Sequence, residues 1–217
     1  MKSEASLPGI PFVISAPSGG GKTTVCRELK RRMAELASSV SYTTRPARPG
    51  ETEGRDYHFV SQAEFEGLMR QGRLAEWTRV HNYHYGTPAD YLEESLEEGR
   101  DVVLTLDIEG AKSLKKKYHQ AVTVFLLPPS LAELQARLAG RGTEDDSVRE
   151  ERIRVGLEEI KQARAYDYLI VNRDLEETVS WLEAIVAVER LRPWRVLKGY
   201  KLEIDVPPES WGEKRLG

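Results

Sequence analysis

Four stretches of the chain are almost continuously apolar: residues 10–15 (IPFVIS), 101–107 (DVVLTLD), 121–127 (AVTVFLL) and 168–172 (YLIVN). Short runs without polar alternation predict strands buried on both faces. Between them the period changes. Val25, Leu29, Met33 and Leu36 recur at helical spacing. Residues 89–98 (ADYLEESLEE) form a further helical pattern that stops at Gly99, a suitable residue just past a helix end. Other helix starts are marked by Ser61 with Glu64, Ser130 with Glu133, Ser147 with Glu150 and, more loosely, Asp174 with Glu177, each spaced as a capping box. Strand and helix alternate, which predicts an α/β fold with a parallel sheet covered on both faces.

One region breaks the alternation. Residues 74–85 carry Trp77, Val80, Tyr83 and Tyr85 in a strand-and-turn pattern, and residues 41–49 (SYTTRPARP) hold two prolines. A small antiparallel lobe inserted into the α/β core accounts for both. The expected division is a tail at 1–9, a core at 10–40 and 100–192, an inserted lobe at 41–99 and an extension at 193–217. In the extension Leu202, Ile204 and Val206 alternate with Lys201, Glu203 and Asp205. That pattern fits a short edge strand, a loosely packed tail or an oligomer contact, and the sequence does not choose among them or give the oligomeric state.

Composition narrows the field. The chain's 217 residues suffice for one domain with a substantial core. A net charge of −3 argues against a dedicated nucleic-acid binder. The first residues, MKSEASLPG, lack the apolar segment of a signal peptide, and no run approaches a membrane span, so a cytoplasmic setting is expected. The single cysteine, Cys26, excludes an intrachain disulfide and reads as a small apolar helix residue rather than a nucleophile. His81 and His84 form H-x-x-H, but without further Cys or His ligands nearby a zinc site is not expected.

The most telling chemistry follows the first strand. Ser15, Ala16, Pro17, Ser18, Gly19, Gly20, Gly21, Lys22, Thr23 and Thr24 lead directly into a helical pattern. A glycine cluster costs backbone entropy, so something there must need free backbone. Strand, glycine loop, lysine, hydroxyl and helix is the arrangement that turns main-chain N–H groups onto a polyphosphate, with the helix N-terminus adding positive partial charge. Lys22 is expected to reach the β- and γ-phosphates and Thr23 to ligate Mg²⁺. Ala16 stands where the usual G-x-x-x-x-G-K-[ST] pattern has its first glycine; the three following glycines retain the flexibility. The resulting fold class is a P-loop NTPase, a three-layer α/β core with a parallel sheet and an inserted antiparallel lobe. A second constellation lies in SYTTRPARPGETEGRDYHF, where Arg45 and Arg48 precede Tyr57. Two guanidiniums and a phenol suit a phosphate monoester.

Together these stretches resemble guanylate kinases, which move a phosphoryl group from ATP to GMP. The resemblance runs from about residue 12 to 192 and is carried by SAPSGGGKTT, SYTTRPARPGETEGRDYHFV, LAEWTRVHNYHYGTP, GRGTEDDSVREERI and YDYLIVN. It implies that Ser41, Arg45, Arg48, Tyr57 and Tyr85 hold the GMP phosphate, and that Glu76, Thr87 and Asp107 read guanine. The chemistry agrees: a carboxylate accepts from guanine N1–H and N2–H₂, a hydroxyl donates to O6, and a wrong base leaves the carboxylate unpaired. The resemblance also implies a helical lid at about 138–155 and gives Arg141 and Arg152 there to the phosphates, with Arg137 a weaker third. It places Asn172 against adenine, with Arg173 following where an acidic residue is usual. In LDIEGAK the family commonly carries a second acidic residue and a longer approach to the glycine, so Glu109 receives no role.

The implied partners are ATP and GMP, with Mg²⁺ as cofactor. Catalysis then consists of positioning and charge neutralisation by Lys22, Arg45, Arg48, Arg141 and Arg152, with lobe and lid closing to exclude water. Two rivals remain. A non-catalytic guanylate-kinase-like interaction module is disfavoured by the intact Gly21-Lys22-Thr23. A P-loop kinase for another phosphate acceptor is disfavoured by Glu76 with Thr87.

Overall fold

The computed structural model describes residues 7–80, 82–139 and 146–199, with backbone alone at 137–139, 146–152 and 199. The core is a five-stranded sheet built from β1 (Pro11–Ser15), β2 (Ala37–Ser38), β7 (Val102–Thr105), β8 (Val122–Leu127) and β9 (Tyr168–Val171), in the order β2-β7-β1-β8-β9. Every neighbouring pair is parallel. The four apolar runs are its four longer strands; β2 has only two residues and no apolar signature.

Successive residues of β1 serve opposite faces. Phe12 and Ile14 pack with Val25 and Leu29 of α1 (Lys22–Arg32) and with Val179, Leu182 and Val186 of α7 (Leu175–Glu189). Val13 packs on the other side with Leu104, with Leu92 and Leu96 of α3 (Ala89–Glu97), and with Ala111 and Leu114 of α4 (Ile108–Lys117). This is the expected three-layer arrangement. Ala75, from the inserted lobe, joins Leu92 and Leu96 in the same cluster.

That lobe is a four-stranded sheet in the order β4-β3-β6-β5, from β3 (Tyr42–Thr43), β4 (His58–Phe59), β5 (Leu74–Val80) and β6 (Tyr83–Pro88), with α2 (Gln62–Arg70) beside it. It is antiparallel except for the short parallel β3/β4 pair. The cap before α2 is complete: Ser61 Oγ accepts from the Glu64 amide and the Glu64 carboxylate accepts from the Ser61 amide. Asp174 caps α7, and Ser130 Oγ accepts from the Glu133 amide ahead of α5 (Leu131–Ala139). The Ser147–Glu150 pair lies outside the described side chains, although α6 (Asp146–Gln162) contains it.

The extension begins with a short helix, α8 (Pro193–Gly199). It is tied to the base of the sheet. The buried Asp101 accepts from the Ile10 amide at 2.8 Å and from Arg190 Nε at 2.7 Å, with Arg195 3.5 Å away. Arg195 also donates to the Pro8 carbonyl at 2.9 Å. The strand pattern at 202–206 lies outside the described residues. Among the described residues, no helix is long and apolar enough to cross a membrane.

Candidate active site

The glycine loop turns at the C-terminal end of β1, where the next element must start a helix within six residues of chain. Gly19 and Gly21 take positive φ, 79° and 88°, which other residues rarely adopt. Gly20 is required by proximity: a β-carbon there would lie 2.7 Å from the Ala16 β-carbon and 2.9 Å from the Pro17 carbonyl. Ala16 therefore fits the first-glycine position because Gly20 yields the space. Ser15 is buried and its hydroxyl donates to the Leu106 carbonyl at 2.8 Å, so it anchors the loop to the neighbouring strand. Thr23 and Thr24 are exposed in the first turn of α1.

Lys22 folds back to donate to the Ala16 carbonyl at 3.0 Å. Burial lowers its pKa, while Glu159 and Asp107 oppose that effect. Glu159, on α6, also accepts from the Ser18 amide at 3.2 Å. A carboxylate thus occupies one of the loop's inward-facing N–H groups, a contact no motif announces. Asn172 is buried; it donates to the Gly20 carbonyl and accepts from Thr178, both at 3.0 Å. Its side chain braces the loop through the Gly20 carbonyl.

In the lobe, Arg45 is held on several sides. It donates to the Pro46 carbonyl at 2.7 Å and to Glu51 at 2.8 Å, with its guanidinium 5.4 Å from the centre of the Tyr57 ring. Tyr57 packs edge-on against Tyr85, and burial raises its pKa. Glu51 accepts in addition from the Arg48 amide, leaving the Arg48 side chain exposed. Glu51 thereby positions both members of the arginine pair; only its place three residues after Arg48 could have drawn attention to it. Ser41 contributes its carbonyl to the β3/β4 pairing, accepting from the His58 amide.

Glu76 and Thr87 stand opposite each other across β5 and β6. The Thr87 hydroxyl and amide both donate to Glu76 Oε1, at 2.6 and 3.1 Å. The hydroxyl proton expected at guanine O6 is therefore directed to Glu76 here. Glu76 is only 4% exposed, and Oε2 has no hydrogen-bond donor among the described residues. Burial is the main cause pushing this carboxyl up to about 7; the Thr87 bonds oppose it and Asp107 adds to it. Asp107 ends the β7 segment and caps α4, accepting from the Gly110 amide at 2.7 Å. Through Asp107 the base of the lobe and the Lys22 loop are electrostatically joined. Glu109 is exposed and pairs with Lys112, which gives it a surface role.

Arg141 and His81 lie outside the described residues, as do the side chains of Arg137 and Arg152. Among the described residues no cluster of three or more His, Cys, Asp or Glu could hold a metal ion.

Comparison with known proteins agrees with this geometry. The guanylate kinase family model matches residues 9–189. A guanylate kinase of Geobacter metallireducens is 46% identical over 190 residues, 88% of this chain and 94% of its own. One from Syntrophotalea carbinolica is 43% identical over 204 residues, 93% of this chain and 97% of its own. The crystal structure of a guanylate kinase from Anaplasma phagocytophilum superposes with a TM-score of 0.74 at 34% identity, covering 89% of this chain and 92% of that one.

Proposed function

The chain belongs to the guanylate kinase family and transfers the γ-phosphoryl group of ATP to GMP, and we propose that the residues described above divide that task as follows. The loop from Ser15 to Thr24 holds the ATP phosphates. Its amides and the N-terminus of α1 supply partial positive charge, and Lys22 leaves the Ala16 carbonyl to take the β- and γ-oxygens. Asn172 keeps the loop's Gly20 carbonyl turned away from the phosphates. Arg45, braced by Glu51 and Tyr57, binds the GMP phosphate with Arg48, Ser41 and Tyr85. Arg141 and Arg152 of the lid complete the charge neutralisation.

Mg²⁺ fits the donor set. Thr23 offers a hard oxygen in the first turn of α1, and this ion takes few protein ligands, keeping waters and phosphate oxygens instead. Absence of a carboxylate cluster among the described residues is compatible with that habit. Thr23 would help hold the ion, which would supply neutralisation of the phosphate charge. Lys22 and the arginines orient the two ends of the transfer, and closure of lobe and lid keeps water out. The acceptor phosphate is already anionic, so no residue is assigned as a general base. We also assign the enzyme to the cytoplasm, where both nucleotides reside.

The single observation that carries the guanine assignment is the orphaned Oε2 of Glu76. A buried acceptor without a donor is costly unless a ligand supplies one, and guanine N1–H and N2–H₂ do. Replacing Glu76 by Gln should raise the KM for GMP by roughly 10- to 100-fold, the loss of a charge-assisted bond, with the KM for ATP unchanged. Equal losses for the two substrates would remove Glu76 from base recognition.

A further inference from the structure

Gly110 is buried in the first turn of α4 and does not have a positive φ, so no backbone strain demands glycine there. Its surroundings do. A β-carbon on Gly110 would lie 2.8 Å from Glu76 Oε2, 3.1 Å from Asp107 Oδ1 and 3.5 Å from Glu76 Cδ. Carbon and oxygen atoms rest at about 3.5 Å, so the first contact is a collision. Asp107 has little freedom to yield, because its Oδ1 accepts from the Gly110 amide at 2.7 Å and caps the helix. The Glu76 carboxylate is the end of a side chain and is the group that would move. It is also the group whose unpaired oxygen lacks a donor.

We propose that Gly110 is a positioning residue for purine recognition: by lacking a side chain it lets α4 close against Glu76 while leaving the carboxylate on Thr87, with its unpaired Oε2 ready to accept from the purine edge. This rests on the assignment of Glu76 to guanine. Alanine is the better helix former by about 1 kcal/mol, which offsets part of the roughly 1–3 kcal/mol lost when the Thr87 donors are left unpaired, so Gly110→Ala should stay folded with a modest loss of stability. Its methyl group would turn the carboxylate off Thr87 and crowd Oε2. A purine with both N1–H and N2–H₂ loses most from this; inosine monophosphate, which lacks the N2 amine, loses less.

The experiment is steady-state kinetics on the full chain with GMP, IMP and ATP varied in turn, for the parent, Gly110→Ala, Glu76→Gln, Glu76→Ala and the Glu76→Ala/Gly110→Ala pair, with Tm measured alongside. For Gly110→Ala we expect the KM for GMP to rise about 10-fold or more. The KM for ATP and kcat at saturating GMP should stay within about threefold, the GMP-over-IMP preference should fall, and the Tm should drop by less than about 8 °C. With the carboxylate already gone there is nothing to displace, so Gly110→Ala should add nothing in the Glu76→Ala background. An equal penalty in that background would show a merely structural glycine and overturn the proposal, whatever the Tm does. If Glu76→Gln raises the KM for GMP and Gly110→Ala does not, the positioning role fails while base recognition stands. If neither moves it, the base assignment itself fails.

Discussion

Glu76→Gln should make the protein more stable at pH 8 while weakening GMP recognition. The folded protein pushes this carboxyl up to about 7 from an ordinary 4.5, chiefly because burial removes water from a charged group. Between those values the native state keeps a proton that the unfolded chain has released, so stability falls as pH rises through the window. At roughly 1.4 kcal/mol per pH unit, the ionised carboxylate costs the fold about 3 kcal/mol at pH 8 and under about 1 kcal/mol at pH 5. Glutamine keeps an acceptor for the two Thr87 bonds and carries no charge. For a domain of this size the pH 8 gain corresponds to a rise in Tm on the order of 5–10 °C. Thermal and urea unfolding of parent and variant at pH 5 and pH 8 would measure it. A variant no more stable than the parent at pH 8, or with the same advantage at both pH values, would refute the claim that a desolvated charge sits there.

Lys22→Ala should lose at least about 100-fold in kcat with the fold intact, because among the described residues the lysine's one hydrogen bond is to the Ala16 carbonyl; coupled ADP release and circular dichroism check both parts. Glu159→Gln should lower the KM for ATP severalfold, since its carboxylate competes with phosphate for the Ser18 amide and opposes phosphate entry; an unchanged or higher KM counts against competition. Asp101→Ala should destabilise by about 1–3 kcal/mol, since the buried Ile10 amide loses its acceptor and Arg190 Nε its partner while Arg190 keeps Glu35 and Arg195 keeps the Pro8 carbonyl, with KM values unchanged in the surviving folded fraction.

The core was legible because burial on both faces leaves an unmistakable apolar run: residues 10–15, 101–107, 121–127 and 168–172 each became a strand. β2 was not, because two residues between a helix and a proline loop carry no period. The lobe's antiparallel pairing was visible in the aromatic spacing of 74–85, but the parallel β3/β4 pair was not, since short strands do not declare their direction. Chain order does not show that Leu92 and Leu96 of α3 share a cluster with Val13 of the core and Ala75 of β5. At the site, charged and glycine residues in motifs were recognisable by type. Supporting residues were harder. Glu51 and Glu159 act through long-range or side-on contacts that spacing does not encode, and the bracing role of Asn172 depends on a partner 152 positions away.

The Asp101 knot has a use beyond stability. Pro8 and Arg195 are one hydrogen bond apart, at the edge of the sheet opposite the phosphate loop. Two segments 187 positions apart in the chain are thus clasped at the start of the first strand, at the far end of that strand from the phosphate loop, so loosening one should loosen the other while the loop keeps its geometry.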